Sequence, residues 1–372
     1  MNPPLVTGHG LIVGRFHPPH SGHHVLVRAA ARACVRLTLA VRTSPADRWP
    51  GAARVQWLRE AHADTPQLTV VAVEDEPAQG HCASRQPAEA SVRRLEQALG
   101  RLALPPVTAV FGSDASVAGW ASRLRAHAIV ADPAHQLVPV CSAALQADLA
   151  GHWQHLAEPV RGALSLKVVG IGSESTGTTT LTLGLADALR RRGAAHGLTR
   201  WVGEYGRDYS VQKLADARAQ ALLQGLEPRA YENLPWAASE FEHIAREQIA
   251  WVQREARMGG PAMICDTDAL ATAVWEERYT GVTTPAVEQL ALQSLGDLYL
   301  VTHHADVPFE ADSIRDGEHL RAWMTGRFIE RLEQLALPFV VLRGSPDTRL
   351  QQALAAVDRE LAARGLTPPA AE

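Results

Sequence analysis

The chain has 372 residues, with 36 lysines and arginines, 40 aspartates and glutamates, and a formal net charge of −4. This length allows two or three domains, and 46% apolar residues with 20% charged residues argue against wholesale disorder. The mild acidity argues against DNA, RNA or anionic lipid as a partner, and no apolar run is long enough to span a membrane. Four widely spaced cysteines without a CxxC pair, and an N-terminus without a basic and then apolar leader, favour a cytoplasmic protein.

Short apolar runs rich in β-branched residues alternate with helical stretches in the first part of the chain. The predicted strands are 10–14, 37–41, 68–73, 107–112 and 136–140. The predicted helices are 23–34, 54–63, 88–102 and a stretch near 142–158. Alternation of this kind indicates βαβ units and a parallel sheet.

The pattern starts again at a second buried strand, 164–172, which precedes a glycine-rich turn and an amphipathic helix at 181–192. Later apolar strands are predicted at 262–265, 298–302 and 339–342. We therefore predict an α/β chain of two parallel-sheet domains, one Rossmann-like (1–160) and one of the P-loop type (161–372). The boundary is expected near 158–163, with almost no linker.

The first predicted strand ends at Gly14 in the segment GRFHPPHSGH, which contains the pattern G-x-F-x-P-x-H-x-G-H. His20 and His23 are three residues apart at a helix start, so both imidazoles can face one side. The N–H groups of a helix N-terminus also favour an anion. We interpret the segment as a site where two imidazoles hold the charge that develops on an α-phosphate. The alternatives are a polar loop with incidental histidines and a metal site, which lacks a second ligand cluster.

This segment resembles the HxGH signature of the nucleotidylyltransferase superfamily. The resemblance implies that His20 and His23 contact the phosphates of ATP, and that the loop is shaped by Gly14, Phe16 and Pro18.

Further positions match the same superfamily less closely. Arg54 and Trp57 in RVQWL resemble its substrate-side helix, and Ser113 lies in a turn that resembles the one under the nucleotide. Its second motif, I-S-x-T-x-x-R, has Cys141 at the hydroxyl position and Gln146 at the arginine position. A neutral amide cannot replace the charge of a bidentate cation on the β- and γ-phosphates, so we expect adenylyl transfer to be weakened.

The second glycine-rich turn, GSESTGTT, fits the phosphate-loop pattern G-x-x-x-x-G-K-[ST] except that Thr178 stands at the lysine position. Its main-chain N–H groups would wrap phosphate. The residues assigned to ATP are Gly172, Ser173, Glu174, Ser175, Thr176, Gly177, Thr178 and Thr179, the last also to Mg²⁺ through its hydroxyl. The alternative is a glycine-flanked turn that only opens a helix. Lys167 lies too far back along the strand to replace the lysine, so arginines from a lid segment are better candidates.

Two acidic clusters favour phosphoryl transfer in the second domain. Asp266 and Asp268 lie two residues apart directly after a predicted strand, at the sheet edge where ligands of open α/β sheets bind. The segment EYGR joins an acid, an aromatic ring and a cation in Glu204, Tyr205 and Arg207. A solvated loop or a helix cap is the alternative for either cluster.

The order of these parts resembles the NadR-type bifunctional proteins of NAD synthesis, which join a nicotinamide mononucleotide adenylyltransferase to a ribosylnicotinamide kinase. The resemblance covers about residues 8–345, and GSESTG, EYGRDY and CDTDALAT are its most specific segments. It implies Mg²⁺ or base roles for Glu204 and Asp266, nucleoside contacts for Tyr205 and Asp268, and a phosphate contact for Arg207.

The segment from Pro308 to Arg315 resembles the lid of the same family. It implies a substrate contact for Asp312 and a cation on the nucleotide for Arg315, with Arg321 as a second candidate. Trp236 and Trp275 are weighed as stacking partners for nicotinamide, with packing as the preferred interpretation. Some members carry an N-terminal DNA-binding domain, but the strand ending at Gly14 leaves no room for one, so no DNA partner is expected.

The sequence therefore predicts an NAD-salvage enzyme that uses ATP and Mg²⁺. Nicotinamide riboside would be phosphorylated by the second domain, and the first would transfer adenylate to nicotinamide mononucleotide. Two alternatives remain open: a nucleotide-binding sensor that has lost catalysis, and a transferase for another nucleoside. The sequence leaves a homo-oligomer open and predicts no membrane partner.

Overall fold

The protein is described here by a computed structural model that covers residues 7–75, 87–132, 136–310 and 317–367. The chain divides into two compact units, Met1–Val160 and Arg161–Glu372. Each unit contains a five-stranded sheet in which every pair of neighbouring strands is parallel. The predicted class of two parallel-sheet α/β domains is thus confirmed. Among the described helices, none is both long and apolar enough to cross a bilayer.

The first unit alternates strands and helices. Its strands are β1 (Thr7–Gly14), β2 (Cys34–Thr43), β3 (Leu68–Glu74), β4 (Ala109–Gly112) and β5 (His127–Val130). The helices that accompany them are α1 (Ser21–Ala33), α2 (Gly51–Ala61), α3 (Glu89–Arg101), α4 (Ser116–Leu124), α5 (Ser142–Ala147) and, across the unit boundary, α6 (Glu158–Leu164). The sheet order is β3-β2-β1-β4-β5. The chain leaves β1 and β4 in opposite directions, and ligands of open sheets bind at the carboxyl ends of strands at such a switch point.

The end of the first unit differs from the sequence prediction. Residues 136–140 do not form a strand, and the fifth strand is β5, which pairs with β4. The predicted helical stretch near 142–158 is broken into α5 and a short 3₁₀ turn at Trp153–His155. β5 is a four-residue edge strand that is largely exposed, and its apolar run, 128–131, is only four residues long.

The second unit has the same layered construction. Its strands are β6 (Leu166–Gly172), β7 (Arg200–Val202), β8 (Ala262–Asp266), β9 (Leu298–Thr302) and β10 (Phe339–Leu342). Its helices are α7 (Thr178–Arg190), α8 (Tyr205–Leu223), α9 (Ala238–Met258), α10 (Ala269–Thr280), α11 (Pro285–Gln293), α12 (Arg321–Gln334) and α13 (Pro346–Ala363). The order β10-β9-β6-β8-β7 places β6 in the centre, with its carboxyl end at the switch point between β6 and β9.

The central strands of the second unit explain why this sheet forms. Every residue of β8 and β9 is buried, as expected for strands covered by helices on both faces. Capping side chains then set where the neighbouring helices begin. Asp268 accepts a hydrogen bond from the Ala271 N–H at the start of α10, and Ser345 accepts one from the Thr348 N–H at the start of α13. α10 and α13 therefore begin within a few residues of the strands that precede them, β8 and β10.

Two histidines form a buried pair in the core of the first unit. His24 Nδ1 lies 2.8 Å from His62 Nε2, and both side chains are almost fully buried. Burial and the neighbouring His62 lower the pKa of His24 to about 3, and burial also lowers the pKa of His62. Both imidazoles are therefore neutral in the folded protein at neutral pH.

This pair predicts a loss of stability in mild acid. The unfolded chain binds a proton at His24 below its ordinary pKa of 6.5, whereas the folded chain does not bind it until about 3. Unfolding is therefore favoured as the pH falls through this window, by about 1.4 kcal/mol for each pH unit below the ordinary value.

Thermal unfolding of His24→Asn and wild type at about pH 7.5 and about pH 5.5 tests this expectation. The variant should lose less stability than wild type between the two pH values. His127→Asn, at an exposed position on β5, is the control and should behave as wild type. Equal pH dependence in all three proteins would contradict the prediction.

Candidate functional site

The turn between β6 and α7 forms a cradle of main-chain N–H groups. Ser175 has φ +57° and Gly177 has φ +79°, so two residues of the turn lie in the left-handed region. Left-handed residues within such a turn aim successive N–H groups into one concavity. The first-turn N–H groups of α7 border the same concavity. They have no partner within the helix and are therefore available to a ligand. The turn therefore has the backbone geometry of an anion site.

Three threonine hydroxyls fix the base of this loop. Thr302 Oγ1, at the end of β9, lies 2.7 Å from Thr176 Oγ1 and 2.8 Å from Thr178 Oγ1. The latter two hydroxyls are 3.2 Å apart. A Cβ atom on Gly172 would stand 2.1 Å from Thr302 Oγ1, so glycine is required for the close approach. Thr178, at the position where a lysine was expected, therefore ties the loop to β9.

Acidic groups face the start of α7. Thr179 Oγ1 donates a hydrogen bond of 2.6 Å to Asp266 Oδ2, which lies at the end of β8 and is 4% exposed. Burial raises the pKa of Asp266 to about 6, although the Thr179 hydrogen bond and the Arg207 charge oppose the shift. Burial, and then the charge of Asp266, raise the pKa of Glu204 to about 8, and Arg207 again opposes the rise. The structure thus brings together four residues from the phosphate loop and both acidic clusters.

A cavity of about 960 Å³ connects this loop with an aromatic wall. Its polar end is lined by the phosphate loop, Glu204, Arg207 and Asp266. The wall consists of five aromatic side chains from the segment before α9 and from α9 and α10: Tyr231, Trp236, Phe241, Trp275 and Tyr279. Sequence reasoning considered only the two tryptophans. The i, i+4 spacing of Trp275 and Tyr279 on one helix was the available signal for the wall.

The acidic residue inside the loop is paired. Glu174 Oε1 lies 3.1 Å from Arg278 Nη1, and both side chains are nearly buried. The Arg278 guanidinium also lies 5.0 Å from the ring centre of Trp275 and 4.9 Å from that of Tyr279. Glu174 therefore does not present an unbalanced negative charge to an incoming phosphate. The pair also links the loop to the aromatic wall.

Two predicted nucleoside contacts lie elsewhere. Asp268 Oδ2 accepts a hydrogen bond of 2.6 Å from the Tyr299 hydroxyl while Oδ1 caps α10, and the residue does not line the cavity. The Tyr205 hydroxyl lies 3.1 Å from His243 Nε2, and its ring packs edge-on against Trp251. The predicted roles of Asp268 and Tyr205 do not fit these positions. The position after a strand places Asp268 at the sheet edge, and the role of Tyr205 is implied by the family resemblance, but neither gives the direction of the side chain.

The predicted lid is described only up to residue 310. Ser175 Oγ donates to the Glu310 carbonyl at 3.0 Å and accepts from its N–H at 3.2 Å, so the segment before the gap lies on the phosphate loop. Asp312 and Arg315 lie outside the described residues. Arg321, the second lid candidate, is bonded to main-chain carbonyls and does not extend into the cavity.

The two histidines of the first motif lie side by side at the start of α1. Their ring centres are 3.7 Å apart, and the His20 N–H donates to His23 Nδ1. His20 Nε2 lies 3.4 Å from Ser142 Oγ, on the helix that carries the second motif. The Phe16 ring packs edge-on against His23. Burial, and then the neighbouring His20, lower the pKa of His23 well below its ordinary value, so this imidazole is neutral before a ligand binds.

Arg54 is part of the scaffold. It is fully buried, donates to the carbonyls of Arg42 and Trp49 at 3.1 and 3.0 Å, and forms a short ion pair with Asp47. It also donates to the carbonyl of Arg15, next to Gly14, and so supports the loop after β1. The predicted substrate contact by Arg54 therefore does not fit the structure.

Four other predicted positions of the first unit differ in their exposure and in their place in the fold. Trp57, on the same helix as Arg54, is buried, which leaves little surface for a substrate. Gly14 ends β1 and Pro18 is buried in the loop that follows. Ser113 is half-buried directly after β4, at the switch point beside β1. Of this set, Ser113 has the position expected for a nucleotide contact.

The side chain at the arginine position of the second motif contacts the loop after β1 but carries no charge. Gln146 Nε2 donates a hydrogen bond of 2.8 Å to the carbonyl of His17. Cys141 is exposed and precedes α5. The side chain at position 146 is therefore directed at the loop after β1, where an arginine would bring a cation.

The chain is similar in sequence to two trifunctional NAD biosynthesis/regulator proteins named NadR. It is 20% identical over 345 residues to that of Escherichia coli (strain K12), an alignment that covers 89% of this chain and 78% of that protein. It is 20% identical over 318 residues to that of Salmonella typhimurium, which covers 82% of this chain and 71% of that protein. A family model described as an AAA domain matches residues 167–349.

Two solved structures of NadR proteins have the same fold as this chain. A crystal structure of NadR in complex with NR superposes with a TM-score of 0.65 and 21% identity, covering 95% of this chain and 96% of that chain. A second, in complex with NAD and AMP-PNP, gives a TM-score of 0.63 and 20% identity over the same shares. Along most of its length, therefore, the chain is similar to NadR proteins in sequence and has their fold.

Gly172 provides a test of the loop geometry. Gly172→Ala places a methyl group where the Thr176, Thr178 and Thr302 hydroxyls meet, so the loop must open and ATP affinity should fall about tenfold or more. Calorimetric titration with ATP measures this change. Gly326→Ala is the matched control, because nothing lies within 4 Å of the added atom on α12. ATP affinity equal to wild type in Gly172→Ala would contradict the proposed cradle.

Proposed function

We propose that the second unit transfers the γ-phosphoryl group of ATP to the 5′-hydroxyl of nicotinamide riboside. The observation that carries this proposal is the single cavity that joins the phosphate loop and the acidic pair to the aromatic wall. Similarity to NadR proteins, including one solved with NR and one with AMP-PNP, supports the choice of acceptor and donor.

The phosphate end of the cavity suits phosphoryl transfer. Thr179 and Asp266 offer neighbouring oxygen ligands, the kind that Mg²⁺ prefers, and so would hold the ion of Mg-ATP. When bound, the ion would neutralise charge on the phosphates. Glu204, with a pKa near 8, suits a general base. In the proposed step the riboside oxygen bonds to the γ-phosphorus, the bond to the leaving ADP breaks, and the hydroxyl proton passes to the carboxylate.

The aromatic end suits a flat heterocycle. Trp236, Trp275 and Tyr279 line the cavity with flat apolar rings, against which a heterocycle such as the nicotinamide ring of nicotinamide riboside would pack. Among the described residues, the buried Trp236 Nε1 has no hydrogen-bond partner. An acceptor such as a carboxamide oxygen would satisfy this donor.

For the first unit we propose adenylyl transfer from ATP to nicotinamide mononucleotide. A phosphate oxygen of the mononucleotide would bond to the α-phosphorus, pyrophosphate would leave, and His20 and His23 would stabilise the developing charge. The uncharged Gln146 favours a second candidate for this unit, which is nucleotide binding without turnover.

The kinase proposal predicts nicotinamide mononucleotide and ADP from nicotinamide riboside, ATP and Mg²⁺. Asp266→Asn should lower kcat about a hundredfold or more, because it removes a charge at the reacting phosphates. Asp358→Asn, on the exposed pair with Arg192, is the control and should retain wild-type rates. Product formation is followed by chromatography, with other nucleosides and pantetheine as competing acceptors. A folded wild-type protein that forms no mononucleotide would overturn the assignment.

The first unit provides a gain-of-function test. Gln146→Arg should raise the rate of NAD formation from nicotinamide mononucleotide and ATP about tenfold or more, because it restores a cation beside the loop after β1. The matched control is Gln56→Arg, which adds the same charge at an exposed position on α2. If both variants form NAD at the wild-type rate, the missing charge at residue 146 does not limit the reaction.

A further inference from the structure

The phosphate loop needs positive charge that its own sequence lacks. Thr178 occupies the lysine position, and its hydroxyl is bonded within the threonine cluster. The chain contains only two lysines. Lys167 lies at the amino end of β6, opposite the loop, and Lys213 is paired with Glu240 on α9. Any charge that replaces the lysine must therefore come from arginine.

Arg349, on α13, binds a main-chain carbonyl of the phosphate loop. It is 4% exposed, and its Nη1 donates to the Thr176 carbonyl at 2.9 Å. Its Nε and Nη2 donate to the carbonyls of Gly344 and His303, both at 3.0 Å. One guanidinium thus holds the loop against the segments that follow β9 and β10.

Arg321, on α12, makes a parallel set of contacts one peptide earlier. It is 7% exposed, and its Nη2 lies 3.3 Å from the Ser175 carbonyl, 3.2 Å from that of His304 and 2.9 Å from that of Val307. Within the described parts of the chain its Nε has no hydrogen-bond partner and no carboxylate pairs with it. The positive charge of Arg321 is therefore directed at main-chain oxygens of the loop.

These contacts decide where the loop's N–H groups point. In a trans peptide the C=O and the following N–H point in opposite directions. Holding the Ser175 and Thr176 carbonyls outward therefore turns the N–H groups of Thr176 and Gly177 inward, toward the phosphate position. A cation on a carbonyl oxygen also polarises that peptide and makes its N–H a stronger donor.

We propose that Arg321 and Arg349 act through the peptides of the phosphate loop as positioning residues that replace the missing lysine. They orient two successive N–H groups and supply fixed positive charge; Arg349 lines the cavity, whereas Arg321 lies outside its lining. This inference rests on the proposed binding of ATP phosphate at the loop. It does not depend on which acceptor is phosphorylated.

The test uses inorganic tripolyphosphate and ATP as probes on the full chain, with calorimetry as the readout. Arg321→Gln and Arg349→Gln should each lower affinity for both probes about tenfold. The conservative Arg→Lys variants should lose less, because they keep the charge. In kinase assays the KM for ATP should rise while the KM for nicotinamide riboside stays unchanged. Arg331→Gln is the matched control, because Arg331 lies buried on the same helix but pairs with Glu288.

Rescue separates the proposed role from a purely structural one. Thr178→Lys added to Arg321→Gln should recover most of the lost tripolyphosphate affinity, because the charge returns at the usual position. Thermal unfolding identifies any variant that is not folded at the assay temperature, and the Arg→Lys variants then carry the test. Wild-type affinity in both Gln variants overturns the inference, and so does a folded double variant that shows no recovery. If wild type binds tripolyphosphate but forms no mononucleotide, the kinase assignment fails and this inference stands.

Discussion

The second unit depends on a close approach that only glycine allows. β6 and β9 run side by side, and the absence of a side chain at Gly172 lets three threonine hydroxyls meet between the phosphate loop and the end of β9. That contact fixes where α7 begins. The start of α7 in turn places Thr179 against Asp266 on the other neighbour of β6. A single packing constraint therefore aligns the anion cradle with the acidic group that faces it.

Buried arginines lie around the phosphate loop of this unit. Arg321 and Arg349 contact its main-chain carbonyls, while Arg278 neutralises Glu174 within it. Arg278 also packs on Trp275 and Tyr279, so the residue that balances the loop touches the wall of the other half of the cavity. A movement of the Trp275 or Tyr279 ring would therefore shift Arg278 and change its ion pair with Glu174. This contact gives a physical route by which an occupied aromatic pocket could adjust the phosphate loop.

The sequence predicted the architecture better than it predicted the direction of side chains. Strands such as β9 and β10 were predicted at their observed bounds, because glycine, proline or polar residues flank their apolar runs in the sequence. The exposed edge strand β5 has an apolar run of only four residues, 128–131, and the sequence analysis does not predict it.

The same distinction between main-chain position and side-chain direction applies to the predicted site residues. The loop glycines and Asp266 are defined by main-chain geometry at a strand end, and the structure places them together. The family resemblance implies ligand roles for Asp268 and Arg54, yet Asp268 caps α10 and bonds to Tyr299, and Arg54 forms a buried ion pair. Arg349 lies 173 residues from its partner Thr176, and no local pattern reports a contact of that separation.

The two units differ in how they would supply positive charge to a bound phosphate. In the second, guanidinium groups that are always protonated lie against the loop, so its field is present before a nucleotide arrives. In the first, His23 is neutral because burial and its neighbours oppose a charge, and position 146 adds an amide. An imidazole of this kind gains its proton only when a phosphate offsets the cost of burial. If nucleotide binds the first unit as proposed, binding and protonation of His23 are coupled, and nucleotide affinity should fall more steeply with rising pH there than in the second unit.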